Sequence, residues 1–316
     1  MKKVLFLDSL HPYLQEELEK KGFACIFDFE SSIETIAATI GQYDGIIIRS
    51  RFKLQKEILD KATNLKFIAR GGAGLENIDV AYAEGKGIKC LHAPEGNRDA
   101  VGEHAVGMIL SLFNNLIRAD RQVREGTWIR EGNRGLELMG KTIGIIGYGN
   151  MGGAFAKRLK GFDVKVLAFD KYKIDYSDEF ATEASYKQIF EEADILSLHL
   201  PLTEETKYLV NDEYLNNFRK SIWLINTARG PIVKTDDLVK NLKSGKVAGA
   251  CLDVLEYEAV SFENLDKNQL PEAFQYLTQS NKVQLSPHIG GWTQESNYKI
   301  ARTIFVKICQ LYNLEH

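Results

Sequence analysis

The sequence predicts an α/β protein built on two parallel sheets. Short apolar runs alternate with amphipathic segments through the first hundred residues, the texture changes after Pro94, and the alternation resumes at Lys141. Strands spaced by helix-length segments, rather than by two-residue turns, indicate parallel β–α units. At 316 residues the chain is long enough for two separate cores.

In the first half, KVLFL, FACIF, GIIIR, KFIA and IKCLH read as strands. PYLQEELEK, IETIAATI, QKEILDKA and VAYAEG read as the helices between them. Across residues 99–117, Val101, Ala105, Met108, Ile109, Leu112, Phe113 and Leu116 recur near a 3.6-residue period, which predicts one helix with a broad buried face. The second half offers the strands TIGIIG, VKVLAFD, ADILSLHL, SIWLIN, KVAGACLDV and KVQLSPH, with helices from Met151 toward Leu159 and near Tyr186. Residues 258–281, polar and containing Pro271, read as a long connection with at least one short helix. Residues 294–312 read as a final helix, with Ile300, Ile304, Phe305, Ile308 and Leu311 on one stripe.

Composition narrows the function classes. The net charge of -3 comes without any block of like charges, so no concentrated basic face for nucleic acid is expected. No run reaches the roughly 18 apolar residues of a membrane helix. Asp8 interrupts the N-terminal apolar run, which favours a first strand over a secretion signal. Cys25, Cys90, Cys251 and Cys309 are scattered, as expected of thiols in a reducing compartment, here the cytoplasm. His11, His92, His104, His199 and His288 lack ligand-like spacing, so no metal is expected.

The first motif with chemistry is Gly147-Tyr148-Gly149-Asn150-Met151-Gly152, which follows the strand TIGII and opens a helical pattern. Gly147 permits a tight turn, Gly149 lets backbone approach a pyrophosphate, and Gly152 allows close helix–strand packing; the phosphates would rest on the N–H groups of the helix start. Asp170 follows at the end of VKVLAFD. A carboxylate there accepts both adenosine ribose hydroxyls and repels a 2′-phosphate, which selects NAD over NADP, although Lys171 beside it softens the discrimination. A glycine-rich turn with Asp170 as a helix cap is the alternative reading.

The second constellation is dispersed. Arg229 lies in NTARG after SIWLIN, Glu258 beyond the strand ending in LDV, and His288 in SPHIGG after KVQL. All three follow carboxyl ends of parallel strands, where such sheets bind ligands. Interconverting a secondary alcohol and a ketone needs a group that takes and returns a proton, which suits histidine. A neighbouring carboxylate orients an imidazole and favours its protonated form. An arginine grips a substrate carboxylate and polarises the adjacent carbonyl. Taken singly, each also has a structural reading: a capping arginine, a solvated loop glutamate, a hydrogen-bonding histidine.

Together the stretches IIIRSR, RGGAGLENID, HAPEGNRDAVGEHAVGMIL, GKTIGIIGYGNMG, HLPLTEET, NTARG, the Asp253-Val254 to Glu258 segment and SPHIGGWTQES resemble the D-isomer-specific 2-hydroxyacid dehydrogenases over nearly the whole chain. The resemblance is nearest to the D-3-phosphoglycerate dehydrogenase branch without its C-terminal regulatory domain. It implies two Rossmann-like domains. Residues 1–98 and 293–316 form a discontinuous, flavodoxin-like substrate domain, and residues 99–292 an NAD-binding domain with an exposed dimerising arm at residues 128–139.

By the same resemblance His288 is the acid/base, Glu258 its partner and Arg229 the carboxylate anchor. His199, Pro201, Thr206, Thr227, Ala228, Asp253 and Gly290 join the glycine motif and Asp170 along the dinucleotide. Arg49, Ser50, Arg70, Ala73, Gly74 and Asn97 meet the substrate, with Ala73 and Gly74 offering backbone N–H groups to its carboxylate. The implied reaction is NAD-dependent interconversion of a small D-2-hydroxy acid and its 2-keto acid in a homodimer. 3-Phospho-D-glycerate and 3-phosphooxypyruvate, in serine biosynthesis, are the first expectation.

Three departures bear on that transfer. Ala259 stands where proline commonly follows the glutamate, Gly102 replaces a frequent alanine, and Trp292 is bulkier than the usual residue. Arg49, Arg51 and Arg70, with Arg134 farther off, would supply charge for a phosphate. If Arg51 and Arg134 are surface residues, a glyoxylate or hydroxypyruvate reductase is preferable, with D-lactate dehydrogenase and a non-catalytic NAD-binding regulator behind it.

Overall fold

The computed structural model describes residues 1–258 and 271–315, so Ala259 lies outside the described residues. The chain forms two compact units, Met1–Arg98 with Trp292–His316, and Asp99–Gly291.

The first unit carries a five-stranded parallel sheet of β1 (Lys2–Phe6), β2 (Phe23–Phe27), β3 (Gly45–Ile48), β4 (Phe67–Arg70) and β5 (Lys89–His92). Their order is β2-β1-β3-β4-β5, the doubly wound arrangement that places a ligand crevice at the carboxyl ends of the strands. Every residue of β3 is buried, as in a parallel sheet covered on both faces. One of those faces is covered by the C-terminal helix Gln294–Leu311, which buries Ile300, Ala301, Ile304, Phe305, Ile308 and Cys309 against Val4, Phe6, Phe67 and Ala69. Thr293 and Ser296 close a reciprocal capping box at its start.

The second unit carries β6 (Thr142–Ile146), β7 (Lys165–Phe169), β8 (Thr182–Glu183), β9 (Ile195–Leu198), β10 (Ile222–Asn226), β11 (Val247–Leu252) and β12 (Val283–Leu285). All are parallel, in the order β12-β11-β10-β9-β6-β7-β8. The expected strands are present in both sheets, with ends that differ by up to three residues, and the short β8 was not expected.

The helix expected over residues 99–117 differs. It runs Pro94–Phe113, opened by a proline in the first turn, where the missing N–H costs nothing. It then breaks at Asn115, whose left-handed φ of 53° suits asparagine, and a new helix covers Leu116–Arg124. Leu116 is therefore 54% exposed rather than part of the buried face. Gly102 has a packing reason: a Cβ there would lie 2.9 Å from the Ala154 carbonyl oxygen of a neighbouring helix. The close approach of the two helices offsets the roughly 1 kcal/mol propensity cost of an interior glycine. Sequence pattern also passed over the helix Thr235–Ser244, which buries Leu238, Val239 and Leu242 and stops at Gly245 with φ 81°.

If the C-terminal helix completes the first unit's core, Ile304→Ala should destabilise the protein by about 2–5 kcal/mol in urea unfolding. A loss below about 1 kcal/mol would mean that this helix is not part of that core.

Candidate active site

The glycine loop after β6 has the geometry of a phosphate cradle. Gly147 has φ 92°, and a Cβ on it would lie 2.4 Å from the His199 carbonyl oxygen. A Cβ on Gly152 would meet the Gly147 carbonyl oxygen at 2.1 Å. Gly149 is different: a Cβ there meets nothing within 4 Å, so the space above it is open. It caps the helix Asn150–Leu159, whose first-turn N–H groups have no intrahelical acceptor. Tyr148 has its backbone N–H on Asp170 and its carbonyl on Lys173. Its ring is buried in the core, with the hydroxyl donating to both Asp178 oxygens at 2.9 Å. Burial, then the hydrogen bond to Asp178, pushes that phenol well above its ordinary range.

Asp170 accepts the N–H of Tyr148 at 2.9 Å on one oxygen and that of Tyr172 at 3.0 Å on the other. Among the described residues these donors take two of its roughly four lone-pair sites, which leaves two for a diol. Lys171 pairs with Glu205 at 2.6 Å, and Lys173 donates to the Tyr148 carbonyl. These pairings weaken the attraction of either lysine for a 2′-phosphate.

Along the same sheet edge, His199 Nδ1 and Thr227 Oγ1 are buried with no hydrogen-bond partner among the described residues. Burial pushes the His199 imidazole down to about 3, so it is neutral, and its Nε2 meets Ser197 Oγ at 2.8 Å. Thr206 Oγ1 donates to the Pro201 carbonyl at 2.7 Å and accepts the Thr203 N–H, closing that loop on itself. Ala228 N–H and the Arg229 carbonyl are both held by buried Asn226, at 3.1 Å each. Asn226 thus shapes the turn that presents Arg229, whose Nη1 donates to the Ala228 carbonyl at 2.6 Å.

His288 and Glu258 meet directly. His288 Nδ1 lies 2.9 Å from Glu258 Oε2, and the Leu255 N–H holds Glu258 Oε1 at 2.9 Å. With Nδ1–H donated to the carboxylate, Nε2 is the ring nitrogen available for chemistry. Asp253 accepts the Ile289 and Gly290 N–H groups at 2.9 and 2.8 Å, so the Gly290 N–H is already used within the chain.

In the first unit the Asp8 carboxylate, which sequence pattern read only as an interruption, accepts the N–H groups of Arg49, Ser50 and Arg51 after β3. Burial draws the Arg49 guanidinium below the ordinary arginine range, opposed by Asp8, and it lies over the Trp292 ring at 4.2 Å. Arg70 Nε donates to the Arg49 carbonyl at 3.1 Å. Arg51 is otherwise engaged: its guanidinium donates to the carbonyls of Leu7, Asp28 and Ser31. Arg134 pairs with Glu131 at 2.8 Å on an exposed turn. His92 Nδ1 donates to the Ala73 carbonyl at 2.6 Å. In a trans peptide this turns the Gly74 N–H the opposite way, and neither the Ala73 nor the Gly74 N–H finds an acceptor among the described residues. Asn97 Oδ1 is likewise buried without a partner among the described residues.

Comparison with known proteins gives this geometry its context. The D-isomer specific 2-hydroxyacid dehydrogenase, NAD binding domain family matches residues 106–290. This chain belongs to that dehydrogenase family. A glyoxylate reductase of Thermofilum pendens is 38% identical over 87% of this chain and 80% of its own length. A hydroxypyruvate reductase of Thermotoga maritima is 36% identical over 85% of each chain. A D-3-phosphoglycerate dehydrogenase of Archaeoglobus fulgidus is 33% identical over 96% of this chain, but the match spans only 56% of that relative. The solved structure of a D-lactate dehydrogenase from Aquifex aeolicus, complexed with NAD and lactic acid, is 29% identical with a TM-score of 0.83, covering 99% of this chain and 96% of that one. These similarities move weight from the phosphoglycerate branch toward the glyoxylate and hydroxypyruvate reductases.

The dehydrogenase is an NAD-dependent oxidoreductase acting on a D-2-hydroxy acid and 2-keto acid pair. The residues present fit NAD: the open ground over Gly149, the two free acceptor sites of Asp170, and the unpartnered Thr227 Oγ1 and His199 Nδ1. Among the described residues no single helix is long and apolar enough to cross a membrane.

The Gly149→Ala variant isolates the cradle. Because its Cβ meets nothing within the chain, unfolding by urea should be little changed. NADH affinity, read by fluorescence titration, should fall at least about tenfold, or ~1.4 kcal/mol. Undiminished NADH binding would remove the phosphates from this loop.

Proposed function

We propose that this dehydrogenase reduces a small unphosphorylated 2-keto acid, glyoxylate or hydroxypyruvate, with NADH. The observation that carries the reading is the state of the arginines: Arg51 is committed to three backbone carbonyls, and Arg49 is laid against Trp292. Of the charges available for a distal phosphate, Arg51 is thereby withdrawn. The glyoxylate and hydroxypyruvate reductases at 38% and 36% identity support the same direction.

In this reading bound NADH would supply the hydride that C2 accepts. Arg229 grips the substrate carboxylate and polarises the carbonyl. His288 Nε2–H gives its proton to the C2 oxygen as the ketone becomes an alcohol, and Glu258 keeps Nδ1 engaged throughout. In the first unit, Arg49, Ser50, Arg70, Asn97 and the Ala73 and Gly74 N–H groups are the candidates for recognising the acid. Phosphoglycerate oxidation is the second reading, favoured by Arg49 and Arg70 standing at adjacent strand ends.

NADH oxidation at 340 nm decides between them. The kcat/KM for glyoxylate or hydroxypyruvate should exceed that for 3-phosphooxypyruvate and pyruvate by at least about tenfold. A preference for the phosphorylated acid would overturn the assignment in favour of the second reading.

The protein also works as a homodimer in this proposal, in the cytoplasm. Leu116, Ile117, Val123, Trp128, Ile129, Leu136 and Met139 are all large, apolar and exposed within one stretch of chain, more than a solitary soluble surface carries without a partner. Sedimentation should give twice the 35.7 kDa chain mass, and the double change Ile117→Glu with Trp128→Glu should halve it. A monomeric wild-type protein would refute this.

A further inference from the structure

His288 occupies an unfavourable backbone conformation. Its φ of +54° is left-handed, a conformation disfavoured for a residue with a Cβ. The turn persists because it is held at three consecutive N–H groups. That of His288 donates to the Asp253 carbonyl at 2.8 Å, and those of Ile289 and Gly290 donate to the Asp253 carboxylate oxygens Oδ1 and Oδ2.

Asp253 is only 2% exposed, so its carboxylate must itself be fixed and compensated. Ser286 Oγ lies 2.6 Å from Oδ1, and His104 Nε2 lies 3.2 Å from the same oxygen and 3.0 Å from Ser286 Oγ. The protons can be assigned. A serine hydroxyl has one, and the carboxylate at 2.6 Å is a better acceptor than the Met108 sulfur at 3.7 Å. Ser286 therefore donates to Asp253, and its oxygen is left to accept. A carboxylate and an accepting hydroxyl both require a proton on His104 Nε2, so His104 is the donor that closes the network. Burial pushes the Asp253 carboxyl up, and the donors His104, Ser286, Ile289 and Gly290 outweigh it, leaving the group below its ordinary range.

We propose that His104 is a positioning residue for His288, its Nε2–H fixing the Asp253 carboxylate and the Ser286 hydroxyl and, through them, the left-handed turn that aims the imidazole. This rests on the reading of His288 as the acid/base. Nothing in the glycine motif or the three dispersed catalytic candidates marks His104, which comes from the helix Pro94–Phe113. Without its N–H, Ser286 loses its donor and Oδ1 loses one of three. The carboxylate is then free to rotate away from the Ile289 and Gly290 N–H groups. A tilt of the turn carries Nε2 off line while Glu258 still holds Nδ1, and a displacement of about 1 Å at a reacting group can cost 100-fold.

The test compares His104→Leu, which removes the donor, with His104→Gln, whose side-chain amide restores an N–H at similar reach. In the protein without substrate, hydrogen exchange at Ile289 and Gly290 should be faster in H104L and near wild type in H104Q. In turnover, kcat should fall roughly 10- to 100-fold in H104L with KM for NADH within about twofold of wild type, and H104Q should recover most of the loss. Unchanged exchange in H104L, equal damage in H104Q, or a loss confined to KM would each overturn the proposal. Should H104L not fold, Ser286→Ala cuts the same network and is read the same way. If no keto acid turns over, the catalytic reading of His288 fails, while the exchange comparison still decides whether His104 holds the turn.

Discussion

The site depends on the register of one rung in the seven-stranded sheet. Leu285, Leu252, Asn226, Leu198, Ile146 and Phe169 pair in succession across six strands. Each is the last residue of its strand, so the chain leaves the sheet at the same level every time. The next residues are Ser286, Asp253, Thr227, His199, Gly147 and Asp170. The serine–aspartate bracket, the buried threonine, the neutral histidine, the glycine turn and the Asp170 carboxylate are thus one row. Parallel strands alone allow this, because every carboxyl end faces the same way.

The register is kept by burial on both faces. Ile146, Leu198, Leu224 and Leu252 belong to one apolar cluster, and Ile145, Ile195, Ile225 and Cys251 to the other. Sliding any central strand by one residue would exchange its two faces and move its terminal residue about 3.3 Å off the row. The core therefore specifies the site more strictly than the loops do. The loops need only complete what the row starts, as Asn226 does when it holds the turn carrying Arg229.

Much of this was legible in the sequence because it rests on local pattern. Continuous apolar runs such as TIGII and GIII mark fully buried strands, and the glycine spacing is itself a statement about backbone geometry. What the pattern missed is made by distant partners. Asp8, His92, His104 and Asn226 look unremarkable in their own segments, and their roles come from residues brought beside them by the fold. The engagement of Arg51 escapes the pattern for the same reason, since the carbonyls that hold it come from two other segments. The break at Asn115 is masked in the sequence by Leu116, which continues the apolar period while facing solvent.

Asp253 shows how a residue can be read for one role and be found in another without the two excluding each other. The resemblance sets it beside the dinucleotide, while the structure surrounds it with the serine, the histidine and two backbone N–H groups. A carboxylate offers about four acceptor sites. Among the described residues Oδ1 receives three donors, whereas Oδ2 receives the Gly290 N–H. A further N–H donor would go to the less crowded Oδ2 rather than to Oδ1. Such a donor would meet an oxygen whose orientation is already fixed by the turn bearing His288, so whatever engaged it would be held in register with the His288 imidazole.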